Sequence, residues 1–114
     1  MPVRTRTISY EIDPDAVNIF VEEKTSEFTY IPATKHITKG KNLIFRLDPK
    51  LGSDALFTVV FKENASPVKG QIVFSNKAPN GIVDADPGAY HYMTFVTAHG
   101  KQYVDAYCPT VIVD

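Results

Sequence analysis

The feature that most constrains this chain is a β-branched apolar inventory broken up by closely spaced prolines and glycines. Twelve Val and nine Ile stand against four Leu, and eight Pro and six Gly are scattered through the 114 residues. Branching at Cβ restricts rotamers in a helix and suits the pleated surface of a sheet. Proline removes an N–H that a helix interior needs, and glycine weakens it. The stretches left between them are too short for helices of ordinary length, so the chain reads as short strands.

Periodicity places those strands. Ile8, Tyr10 and Ile12 alternate with Thr7, Ser9 and Glu11, as in a strand with one covered face, and Asp13-Pro14-Asp15 ends it as a turn. Val17 to Val21 is apolar towards both sides and predicts a more deeply buried segment. Phe28 and Tyr30 alternate with Glu27 and Thr29 as far as Pro32. Leu43, Phe45 and Leu47 follow a turn at Lys39-Gly40-Lys41-Asn42, and Phe57, Val59 and Phe61 follow a loop at residues 48–53. Gln71 to Ser75 is a further strand, and Asn80-Gly81 carries the strongest hairpin-turn signal, because both residues accept the positive φ of a tight turn. Ala89 to Thr97 makes a long strand with Tyr90 and Tyr92 on one side. His99-Gly100 then turns the chain into Gln102 to Ala106, and Thr110 to Val113 closes it. Pro14 to Asn18 and Pro49 to Asp54 each suit a helical turn and no more.

About eight to ten strands at this spacing predict a sandwich or barrel. Each strand has an apolar face that a second sheet must cover, so the expectation is all-β: a two-sheet antiparallel Greek-key sandwich forming one domain over 1–114. No repeat, low-complexity tract or linker divides it. Twelve basic and thirteen acidic side chains leave a net charge of -1, which argues against nucleic acid or a membrane surface as partner. One cysteine excludes an intramolecular disulfide and any multi-cysteine metal site. No apolar run approaches the roughly 20 residues that cross a bilayer, and nothing after Met1 serves as a signal h-region. The expected location is cytoplasmic, where Asn64-Ala65-Ser66, followed by Pro67, has no glycosylation to receive.

Two segments resemble cupredoxins. Ile37-Thr38-Lys39-Gly40-Lys41-Asn42-Leu43-Ile44-Phe45 is similar to that family's turn into a core strand, and Pro87-Gly88-Ala89-Tyr90-His91-Tyr92 to the entry of its penultimate strand. With Val111-Ile112-Val113 the matching order of elements covers most of the chain. An immunoglobulin-like sandwich is the alternative, since it shares the Pro-Gly turn before a Tyr-rich strand. The resemblance implies a copper site of two His, one Cys and an axial Met, a soft donor set suited to that metal. At the matching positions stand Phe57 or a neighbour, Thr94, His99 and Tyr103. Only His99 suits copper, and a hydroxyl does not replace the thiolate, so no cofactor is expected.

The remaining candidates carry little chemistry. His36, His91, His99 and Cys108 show no metal-ligand spacing, and Cys108 is read as a buried, inert thiol. Asp84, Asp86 and Asp105 lack the pattern of a calcium loop, and Asp86-Pro87-Gly88 is turn chemistry. Lys35, His36, Lys39 and Lys41 form a basic patch read as a solvated loop. No nucleophile elbow, phosphate loop or paired carboxylates stand out. The leading expectation is therefore a non-catalytic binding protein whose partner is another protein or a second copy, engaged where strands lie unpaired. The rival is a metal (copper)-handling protein using His99, with His91 or Cys108. A third reading is small-molecule binding between the sheets near Tyr90, Tyr92 and Tyr103.

Overall fold

Ten strands and a single 3-10 turn at Pro49–Leu51 form the regular structure of the computed structural model, which describes residues 11–105 and 107–114. The strands are β1 Val17–Glu22, β2 Glu27–Ile31, β3 Thr34–Ile37, β4 Asn42–Leu47, β5 Leu56–Phe61, β6 Val73–Ser75, β7 Asn80–Ile82, β8 Gly88–Ala98, β9 Lys101–Asp105 and β10 Thr110–Val113. They make a four-stranded sheet in the order β2-β1-β4-β7 and a six-stranded sheet in the order β3-β10-β8-β5-β6, with β9 also paired to β8. The chain is all-β in two sheets whose inward faces share one apolar cluster. Among the described residues no helix is long and apolar enough to cross a membrane.

The sheets are mixed, which corrects the antiparallel expectation. β1 runs parallel to β4, and β10 runs parallel to β3. The second parallel pair arises because the chain passes from one sheet to the other at Pro32. β2 pairs with β1 before that proline, and β3 pairs with β10 after it. A proline has no N–H to donate to a ladder, so pairing stops there.

Alternation settles the core. Val17, Ile19 and Val21 stand beside Leu43 and Phe45 on the inner face of one sheet, and Phe57, Val59, Phe61, Tyr92 and Val96 close the other side. Phe45 is central, with its ring centroid 5.1 Å from Phe74 and 5.3 Å from Tyr92. β1 is buried on both faces, as expected, because Asn18 and Phe20 are also covered. Asn18 satisfies its amide there: Nδ2 donates to the carbonyls of Asp13, Ala16 and Ile31, and Oδ1 accepts from Asp13 N.

Several local expectations change. Asn80-Gly81 is not a turn but part of β7, paired with Asn42–Ile44. Gly81 serves packing: a Cβ there would lie 2.6 Å from Gln71 Oε1 and 3.2 Å from a Val68 methyl. The nearby reversal falls at Asn76-Lys77 instead, where the Asn76 side chain accepts from Phe57 N and donates to Ala55 O. The strand begins at Val73 rather than Gln71. Pro14-Asp15 is a simple turn into β1. His99-Gly100 is the tight turn expected, with φ of 51° and 74°, the double positive that a two-residue hairpin needs. The expected first strand at Ile8 and Tyr10 lies outside the described residues, and Ile12 is exposed and outside any strand.

Candidate functional site

β8 is long enough to carry two strands in succession along one edge. Its C-terminal half pairs with β9, ending at Thr94 opposite Asp105, and its N-terminal half pairs with β10, starting at His91 opposite Thr110. The chain between Asp105 and Thr110 is therefore longer than the stretch it spans, for which β8 needs only Tyr92 and Met93. The surplus is pushed off the sheet: Tyr107 is 96% exposed, Cys108 is exposed with φ of 51°, and Tyr92 N still donates to Pro109 O at 3.0 Å. A bulge of this kind bends its strand and re-aims side chains.

The crossover and β2, the edge strand of the opposite sheet, bound a groove of about 530 Å³ lined by Phe28, Tyr30, Val104, Asp105, Tyr107 and Pro109, with Thr25, Ser26 and Glu27 at one end. At its floor the Tyr30 hydroxyl donates to Asp105 Oδ2 at 2.6 Å, and Tyr107 N donates to Asp105 Oδ1 at 3.0 Å. Asp105 is 6% exposed, and no ion pair among the described residues includes it. Burial, and then the hydrogen bond to Asp105, hold the Tyr30 phenol well above its ordinary range. The buried Thr94 hydroxyl opposes that push without making a hydrogen bond of good geometry. Tyr92 meets Tyr30 edge-on at 5.7 Å, and burial raises its phenol too. With its proton held this firmly, the Tyr30 phenol acts towards Asp105 as a hydrogen-bond donor.

The residues singled out from sequence fall elsewhere. His91 Nδ1 lies 2.9 Å from Thr110 Oγ1, and His99 Nδ1 lies 2.7 Å from Glu23 Oε1. The extended backbone separates the two histidines by about 26 Å at roughly 3.3 Å per residue. Among the described residues no three His, Cys, Asp or Glu side chains gather as a metal would need. Cys108 is exposed rather than buried, because the crossover lifts it off the sheet. Of the positions matching copper ligands, Phe57, Thr94 and Tyr103 are buried within the sandwich, whereas His99 sits on the hairpin turn. Tyr92 and Tyr103 are core residues, and Tyr90 donates to Asp86 O at 2.5 Å, so the three do not line one cavity. Asp84 is engaged with Lys69 N at 2.7 Å. Lys35, His36 and Lys41 border an open surface groove with Asp15, and His36 pairs with Asp114.

A second surface is defined by what it lacks. Alternate residues of the six-stranded sheet point away from the core, and none of these outward strand positions is Lys, Arg, Asp or Glu. Among the described residues, His36 and His91 are the only ionisable side chains at these positions. Its apolar part is continuous: Val73, Val60 and Met93 stand in one row across β6, β5 and β8, and Thr58, Phe95 and Val104 stand in the next across β5, β8 and β9. Leu56 extends it, and Leu56, Val73, Met93 and Val104 are all exposed. The outer face of the four-stranded sheet carries Glu22, Glu27 and Arg46. Comparison with family models, curated proteins and solved structures gives no match for this chain.

Proposed function

We propose that this protein is a non-catalytic interaction module that pairs with a second copy of itself through the outer face of its six-stranded sheet. The observation that carries the reading is the absence of formal charge from that face in a chain whose charged residues make up 22%. A face evolved only for solvation would carry its share of them, and contiguous apolar patches on soluble proteins mark contacts.

Size supports a second copy. The eleven residues of β8 give a length of about 36 Å, and three to four strands give a width of about 17 Å. That is about 600 Å² per copy and about 1,200 Å² for a pair, the lower end of the range for specific interfaces. A two-fold axis sets the patch against itself, and with no formal charge on it no repulsion or buried ion opposes the pairing. The edge strands β2, β3, β6, β7 and β9 are only three to five residues long, which limits strand addition as a rival mode. On this reading the likeness to cupredoxins is one of scaffold, supported by the two-layer order of short strands.

Sedimentation velocity under reducing conditions, from about 5 to about 500 μM, tests the pairing at the affinity such an area suits. The weight-average mass rises from 12.7 kDa towards twice that value. A constant monomer mass across the series overturns the proposal. The reductant removes any dimer held only by the exposed Cys108.

A further inference from the structure

We infer that the groove between β2 and the β9–β10 crossover is a binding site for a small organic cation carrying a guanidinium or amine group. The inference goes beyond self-association, and the groove shares only Val104 with the outer sheet face among the described residues.

Charge is the first argument. Asp105 lines the groove, Glu27 stands at its end where β2 begins, on the alternate side of the strand from Phe28 and Tyr30, and no Lys, Arg or His lines it. Asp105 is nearly buried, and none of the ion pairs among the described residues neutralises it. A carboxylate withdrawn from water without a cation is costly, and an arriving cation relieves that cost. Each Asp105 oxygen already accepts one hydrogen bond, from Tyr30 or from Tyr107 N. Each keeps a further acceptor position, and a planar N–H fork is the donor able to engage two carboxylate oxygens at once.

Shape is the second. Phe28 and Tyr30 project from the same side of β2 with rings 6.2 Å apart and only 18° from parallel. Tyr107 supplies a third aromatic side chain at the rim. Aromatic faces attract cations, more strongly when the pair is desolvated, and planar guanidinium groups stack on them. At about 530 Å³ the groove is within the size range of small-molecule sites.

The test titrates the full chain, labelled with ¹⁵N, with butylguanidinium and with its neutral isostere butylurea. The expected result is saturable shifts at Tyr30, Val104, Asp105 and Tyr107, with a Kd of about 1 mM and at least about tenfold preference for the cation. Asp105→Asn should lower affinity by about tenfold or more, and Glu27→Gln, at an exposed position that leaves folding intact, by about two- to threefold. No saturable shift, equal response to the urea, or shifts centred elsewhere overturn the assignment. So does an arginine-containing tripeptide that binds more than about tenfold tighter than butylguanidinium, since the occupant would then be a peptide side chain.

Discussion

The Tyr30 phenol donates to the Asp105 carboxylate at 2.6 Å, joining residues 75 apart in sequence across the seam between the two sheets. Burial and this bond raise the Tyr30 phenol above its ordinary value of 10.0, and burial raises Tyr92 in the same direction. A raised native value means that the folded state holds the proton more tightly than the unfolded chain. The stabilisation is therefore complete below pH 10.0 and is withdrawn as pH climbs above it. The protein is expected to unfold in alkali, with tyrosinate absorbance from these two residues appearing together with the loss of structure. Their ionisation in a still-folded chain would contradict this. Tyr30→Phe leaves Asp105 with one donor fewer and should cost about 1.5–3 kcal/mol at neutral pH by denaturant titration.

Much of the fold was legible in the sequence because it rests on alternation. Leu43, Phe45 and Leu47, or Phe57, Val59 and Phe61, point inward for the reason that made them recognisable. The parallel pairings were not legible, since strand direction depends on where Pro32 hands the chain over, and a proline reads the same whether it ends a strand or redirects one. Asn80-Gly81 misled because Gly81 lies inside β7, where a Cβ would crowd the Val68 side chain, and a dipeptide does not report which segment packs against it. The site was half legible. Asp105 shares the inward period of Tyr103, and an acid at an inward position is a signal that sequence reasoning passed over in looking for calcium spacing. Tyr30 could not be linked to it without the register of both sheets. Cys108 was misplaced because a mismatch in length against β8 exposes it, and no local pattern reports such a mismatch.

Asn18 ties β1 to the segment before it and to β2 through both ends of its amide. Asn18→Ala leaves buried carbonyls and an N–H without that partner, and the expected cost is about 2–3 kcal/mol in chemical unfolding. A change under about 0.5 kcal/mol would show that water replaces the amide freely.

Tyr103 buries its hydroxyl without a hydrogen bond among the described residues. Tyr103→Phe removes a polar atom that has lost water and gained no partner, so it should be neutral or stabilise by about 1 kcal/mol. Thr94→Val at its buried hydroxyl should act with the same sign. Thermal unfolding reads both, and a loss above about 1 kcal/mol in either contradicts the assignment.

Met93 is 38% exposed at the middle of the uncharged face, directly opposite Val60. Met93→Lys leaves the core untouched, so stability should change by less than about 0.5 kcal/mol. It also places two like charges at the centre of a self-paired interface, which should weaken association by about tenfold or more in sedimentation. A variant that dimerises as strongly as the parent would move the interface elsewhere.

The most direct measurement is an isotope-filtered nuclear Overhauser experiment on an equimolar mixture of labelled and unlabelled chains, in reductant, at the concentration where the mass has risen. Contacts between copies from the methyl groups of Val60, Val73, Met93 and Val104 are predicted, with none from the outer face of the four-stranded sheet. Contacts confined to strand edges, or an absence of contacts between copies, would contradict the assignment of this face as the surface through which the protein works.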